Sequence, residues 1–513
     1  MSKSLVPYIL VMSILVQFAF AQQNPDSIQG YKEERQHLLT MDSDDPVLVF
    51  VNDQRTKISI TNPSVDTKRT KVWWGSESGV YDCVAFYRMT ISPDGERAAF
   101  IGMHKKGKLL VVIDGREIGR YGYIFFDTVV FSPDGQRYAF AVSESGKRGE
   151  KDCRVICDGT KGQKFHSIVG ICPSFSPNSK HLVYFARERD KWYAVVDEKR
   201  GLAFEQTGWG PCFSPDGEQM AYVGVKRDGQ YLVVNDTLYG PYPQVRDVTF
   251  SPTTNDLVYV AEINDSLILF KNHQRYKQNY KFAHGPVFSN DGTRFAFLAS
   301  DGVESQYLIV DSVEHRHFPG MYVSTPFFSK GGRHFYYDVG TDKSLAERFF
   351  VVDDSIIWRM KGTFNILDVS FSPDGSRFGF VWDIDSTEQR SVIDSTECIC
   401  KPRCGKFVFS PDSKRYSIVS RLGSETRSKL IVDGEEYTQY EMYYPGQSFT
   451  PDGTRIAYVA RDHGKSFIVI GQQEMTHYDD IYPLDISFDG DGNLAYFGIE
   501  GKDVYRAVIK PLK

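Results

Sequence analysis

One ten-residue stretch, FSPDGQRYAF at Phe131–Phe140, recurs along almost the whole chain. ISPDGERAAF starts at Ile91, FSPNSKHLVY at Phe175, FSPDGEQMAY at Phe213, FSPTTNDLVY at Phe250 and FSNDGTRFAF at Phe288. FSKGGRHFYY follows at Phe328, FSPDGSRFGF at Phe371, FSPDSKRYSI at Phe409, FTPDGTRIAY at Phe449 and FDGDGNLAYF at Phe488. Eleven copies, spaced by roughly 40 residues, commit the chain to a repeat architecture.

The grammar of a copy is constant. An apolar approach ends at Phe-Ser-Pro. Pro-Asp-Gly then turns the chain: Pro fixes φ, Asp bonds the backbone two residues on, and Gly accepts positive φ. A strand with period-two alternation follows, as in Arg137–Val142. A third strand reads LLVVIDG at Leu109–Gly115, YAVVDE at Tyr193–Glu198, YLIVDS at Tyr307–Ser312 and LIVDG at Leu430–Gly434. Its Asp-Gly end signals a hairpin. A short fourth strand, often with Tyr (Tyr121, Tyr242, Tyr437), leads to the next copy. Four short strands per unit predict an all-β fold of propeller blades. One blade cannot bury both faces of its sheet, but stacked neighbours can.

These residues, FSPDGxRxAF followed by a Val-Val-Asp-Gly hairpin, resemble the WD40-like repeat of TolB-type β-propellers. Related repeats occur in the propeller domains of prolyl-oligopeptidase-like and tricorn-like proteases. The resemblance covers roughly residues 45–513 and implies a propeller with a role at the bacterial cell envelope. It is specific for fold and weak for function. Residues 250–259 depart from it, with Thr-Thr-Asn-Asp for Asp-Gly and a third strand, LILFKN, that lacks the Asp.

Single rings hold four to eight blades, so eleven or twelve units predict two tandem propellers. The expected boundaries are a signal peptide at 1–21, a linker at 22–45 with a helical turn near Glu33–Leu39, one propeller at 46–285 and another at 286–513. Val47–Val51 and Lys57–Ile60 read as strands that could close the last blade. The leader rests on Lys3, the apolar run Leu5–Phe20 and the cleavage pattern Ala19-Phe20-Ala21. It predicts a secreted or periplasmic protein, with no membrane span after cleavage. Net charge is −6 and the sequence pI is about 6.0, which argues against a nucleic-acid partner.

Few residues suggest chemistry. The aspartates of the turns, such as Asp94, Asp134, Asp216, Asp374, Asp412 and Asp452, are explained by the turn itself. The same holds for the hairpin aspartates, among them Asp114, Asp158 and Asp433. A nucleophile elbow is lacking: Gly75-Ser76-Glu77-Ser78-Gly79 has Glu where Ser is needed. His284, His315, His317 and His334 do not share an offset from their Phe-Ser motifs, as axial metal ligands would. Asp489–Glu500 mimics a calcium loop but has Leu494 where that loop needs Gly. No catalytic residue, metal or cofactor is therefore expected. Eight cysteines permit disulfides in an exported chain. Cys153 and Cys157 share a strand and lie too far apart to bridge, whereas Cys404 could pair with Cys398 or Cys400. Trp73 and Trp74, in what reads as an insertion at 62–80, could form a binding platform. The expected function is a non-enzymatic propeller that binds a protein, peptide or envelope glycan at rim loops or a central opening. The alternative is a lyase or hydrolase with His, Arg and acids converging from several blades.

Overall fold

The computed structural model of the chain describes residues 30–40 and most of 48–512. Segments 52–57, 145–151, 169–172, 341–346, 384–388, 399–402 and 422–427, and a few shorter ones, lie outside the described residues. The expected signal peptide at 1–21 lies outside them too. Among the described residues there is no α-helix, and no helix long and apolar enough to cross a membrane.

The chain is an all-β propeller of four-stranded antiparallel blades. The blade of the FSPDGQRYAF copy shows the pattern. Its first strand is broken into Tyr123–Ile124 and Val130–Phe131, and both halves pair with Tyr138–Ser143. Cys153–Cys157 and Thr160–Lys161 complete the meander. The second and third strands are apolar without a break because both of their faces are covered. Phe140, Val142 and Ile156 pack on Ile101, Val111 and Ile113 of the blade before. Ala139, Ala141 and Val155 pack on Leu182, Tyr184 and Val195 of the blade after.

The corner between the first two strands is a closed hydrogen-bond circuit. The fully buried Ser132 donates its hydroxyl to Asp134 Oδ1 at 2.6 Å and accepts Arg137 N–H at 2.9 Å. Asp134 Oδ1 also accepts Gln136 N–H at 3.0 Å. The Ser132 hydroxyl and then that N–H hold the Asp134 carboxyl below its usual range. Gly135 sits at φ +72°, and a Cβ there would lie 2.4 Å from the Asp94 carboxylate of the preceding copy. Arg137 Nε reaches the hairpin residue Asp158 at 3.1 Å, and its Nη1 reaches Lys180 O in the next copy at 3.1 Å. Arg97, Arg377 and Arg415 repeat this double contact. The motif's Arg therefore joins its own hairpin to the following blade. His181 and His334 stand at the same place and pair with Asp197 and Asp353. The divergent third strand keeps the geometry, because Asn272 replaces the hairpin Asp and accepts Leu257 N–H at 2.9 Å.

The described residues fall into two compact units. The first holds Asp45–Val303 and Ile309–Val313; the second holds Glu304–Leu308 and Glu314–Lys513. A boundary after residue 285 would cut the strand Phe282–Phe288, which is also tied to Ser266–Lys271 by a parallel bridge from Leu267 to Phe282. The division between the two units also runs through a strand, Ser305–Val310, between Leu308 and Ile309.

The expected linker at 22–45 contains a strand, Tyr31–Thr40, which belongs to the second unit and has no helical turn. It pairs along its length with Asp503–Pro511 and completes the blade of Asp480–Tyr482 and Leu494–Glu500. The last blade is thus closed from the N-terminal side, by residues 31–40 and not by 47–60. Leu48–Val51 and Ile58–Ser64 instead open a sheet of their own. The reason lies in the side chains. Tyr31 is buried under the Arg455 guanidinium, 4.8 Å from its ring centre. Gln473 exchanges two hydrogen bonds with the Tyr31 backbone, at 3.1 and 2.8 Å. Glu33 accepts the Tyr478 hydroxyl at 2.9 Å and Thr476 N–H at 2.8 Å.

Candidate functional site

The side chains of Trp73 and Trp74 lie outside the described residues, so only their strand is placed. Trp73 and Trp74 are not in an insertion: Arg69–Trp74 is the third strand of the sheet Leu48–Tyr81, with Trp73 opposite Ile60 and Ser78. The apparent insertion is a blade's second hairpin without the motif. Cys398 ends the strand Thr396–Cys398, but its side chain and all of Cys400 lie outside the described residues. Cys404 N–H donates to Gln389 Oε1 at 2.8 Å. Cys157 is a free thiol, so it does not bridge to Cys153 in its strand, and burial pushes it up to about 11. His315 and His317 bond to Asp354 and Glu314, at 2.6 and 2.7 Å. Asp489 Oδ1 accepts Asp491 and Asn493 N–H, so the calcium-like stretch is a motif corner.

A different set converges in the first unit. First strands of successive blades pack side by side: Cys212–Phe213 with Val245–Phe250, and Val245–Phe250 with Phe282–Phe288, the last also touching Ser266–Lys271 through the single Leu267–Phe282 bridge. Each is interrupted ahead of the motif's Phe. The residue four places before that Phe is Trp209 in one blade, Arg246 in the next and His284 in the third.

The local chain explains the outward set of Trp209. Its carbonyl accepts Val223 N–H at 2.7 Å, while Gly208 and Gly210 lie against the second strand. A Cβ on Gly208 would sit 2.9 Å from Val223 Cγ1, and one on Gly210 3.0 Å from Tyr222 Cα. The two glycines let the backbone close on its neighbour, and the indole between them is 55 % exposed. Its Nε1–H donates to Val248 O at 3.0 Å, which fixes the ring on the following first strand. Beneath it, burial pushes the Cys212 thiol up to about 12, so this cysteine is an inert packing group.

Arg246 donates Nη2–H to His284 Nδ1 and, at 3.5 Å, to Ala283 O. Its Nε is buried without a hydrogen-bond partner, 3.8 Å from Asp247 Oδ2. Asp247 has φ +54°, a left-handed conformation that Asp and Asn adopt more readily than other non-glycine residues. Its Oδ2 accepts Gly285 N–H at 3.3 Å. Guanidinium has no acceptor, so His284 Nδ1 must be the acceptor and Nε2 must carry the proton. Burial, then the Arg246 charge, holds His284 below its ordinary pKa, against a smaller opposite pull from Asp247. The imidazole is neutral near pH 7, its one lone pair is occupied, and it presents a donor.

Sequence inspection missed this set because it compared histidines with histidines. The signal was present: an equal offset from a repeated motif, filled by residues that do not repeat. Tyr87 and Asp127 stand at the same offset in earlier copies. The side chain of Tyr87 and all of Asp127 lie outside the described residues.

No family model matches the chain, and no curated protein matches it. Similar solved structures include a eukaryotic initiation factor, at 12 % identity and TM-score 0.32, covering 84 % of this chain and 94 % of that one. The β-propeller domain of the Trilobed protease from Pyrococcus furiosus, described as having an open velcro topology, is similar at 13 % identity and TM-score 0.25, covering 54 % and 97 %. An oligogalacturonate lyase in complex with manganese is similar at 14 % identity and TM-score 0.25, covering 57 % and 96 %. Scores this low carry no argument about the site, and the propeller assignment rests on the chain's own blades.

Proposed function

We propose that the chain is an exported, non-enzymatic propeller of TolB-like type. It holds a protein, peptide or envelope glycan at the interrupted first strands of the unit Asp45–Val303. The observation that carries this reading is the convergence of Trp209, Arg246 and His284 from three consecutive blades at one motif offset. An exposed aromatic face beside fixed polar groups is how binding sites gain contact at low entropic cost.

The same convergence of His, Arg and acid also suits the second reading, a lyase or hydrolase. What favours the first reading is that the Nδ1 lone pair of His284 is taken by Arg246, so this imidazole is not free to act as a general base. The test is capture from an envelope extract with the mature chain and with Trp209→Ala. A partner lost with the indole supports the site; a partner retained equally by both proteins places binding elsewhere.

A further inference from the structure

The groups around Trp209 restrict what can bind. The indole N–H is committed to Val248 O, so Trp209 offers only its ring face. Both Nη2 hydrogens of Arg246 are committed, which leaves Nη1 as its outward donor. His284 adds one Nε2–H donor. Asp247 adds an acceptor, because only its Oδ2 is engaged by Gly285. The charges of Arg246 and Asp247 cancel, and the imidazole carries none. What remains is an apolar face beside a mixed row of donors and acceptors with no net charge.

A peptide matches this poorly. Extended peptides dock by adding a strand to a sheet edge. Here that edge is interrupted in each of the three blades. Gly208–Pro211 separates Gln206–Thr207 from Cys212–Phe213. The register shifts between Arg246 and Thr249, and between His284 and Val287. Pro211 and Pro286 lie in these breaks and have no N–H to give. A charged peptide would also find no counter-charge in excess. A polyhydroxylated ring matches well, since each hydroxyl both donates and accepts and one ring face is apolar.

We propose that this column binds a neutral oligosaccharide, with one sugar stacked on Trp209 and its hydroxyls bonded by Arg246, Asp247 and His284. The proposal rests on the column being the binding site and narrows it to a ligand class. The test uses the full-length chain on an array of neutral glycans, then calorimetric titration with the best of them, with hexamers of glucose and of N-acetylglucosamine, and with an acidic and a basic decapeptide. Expected are a neutral glycan that binds the chain, at least tenfold weaker binding by Trp209→Ala, partial recovery in Trp209→Phe and several-fold weakening in Asp247→Asn. Asn is chosen because it tolerates the left-handed backbone at that position. Binding of a peptide but no neutral glycan, lost in Trp209→Ala, overturns the sugar class and leaves the site standing. Equal glycan binding by the chain and Trp209→Ala, or no neutral glycan bound by the folded chain, overturns the proposal. Loss of captured partners with Trp209→Ala then tells separately whether the column binds something else.

Discussion

The two units differ at one column of residues. Four places before the motif's Phe, the described positions in the first unit are Trp209, Arg246 and His284. In the second unit they include Ser324 and Gly405. Ser324 turns inward, accepting Asp338 N–H on its hydroxyl at 2.9 Å. Gly405 has no side chain, and its N–H donates to Val419 O at 2.8 Å. The interruption in the first strand is therefore common to both units and is structural. What fills it is not. In the second unit these described residues serve the blade's own backbone; in the first they reach across to the next blade and outward. The repeated corner is the control, since Ser132 in one unit and Ser410 in the other make the same bonds.

The comparison breaks most readily at the corner. Ser132→Ala and Ser410→Ala each remove a buried hydroxyl that accepts a backbone N–H, and each is expected to cost about 1–3 kcal/mol. Urea unfolding followed separately for the two units should show similar losses, and unequal losses would mean that the corners are not equivalent. Next comes Trp209→Ala. It should weaken ligand binding at least tenfold, about 1.4 kcal/mol. It should change stability by no more than about 0.5 kcal/mol, because the indole is largely exposed. A large loss of stability would make Trp209 a packing residue.

Acid should separate the units more gently. Burial holds His273 below its ordinary pKa, and burial with Arg246 does the same to His284; both lie in the first unit. Their contribution is complete above the unfolded value of about 6.5 and is lost as pH falls from there toward the lowered native values. Corner carboxylates such as Asp134 and Asp412, held low chiefly by Ser132 and Ser410, stay charged through that window. The unfolding midpoint of the first unit should drop as pH falls below about 6.5, and His284→Gln should reduce the drop. The smallest effect belongs to Ser324→Ala, which should leave ligand binding unchanged in the same titrations.

How much of this was legible depended on whether it repeated. Phe-Ser-Pro-Asp-Gly is local chemistry, and eleven copies exposed both the turn and the four-strand unit. The closing strand Tyr31–Thr40 was not legible, because YKEERQHLLT has neither the motif nor clean alternation. It is a strand because Tyr31 and Glu33 find partners more than 440 residues away. The insertion read around Trp73 and Trp74 failed for the opposite reason: without the motif, an ordinary third strand, Arg69–Trp74, looks like extra chain. The column of Trp209, Arg246 and His284 was written in the sequence at a fixed offset, but only neighbouring blades reveal that unlike residues at that offset meet.

The closing strand has a consequence for synthesis. Thr40 leaves the ribosome 463 residues before its partner Asp503. At 5–20 residues per second that is a wait of roughly half a minute to a minute and a half. Blades such as that of Tyr123–Lys161 have all their strands within one short stretch of chain and can form during that interval. The second unit is begun by its outermost strand and finished by its last. Until then Tyr31–Thr40 lacks its partner, and the last blade becomes whole only once Asp503–Pro511 has been made.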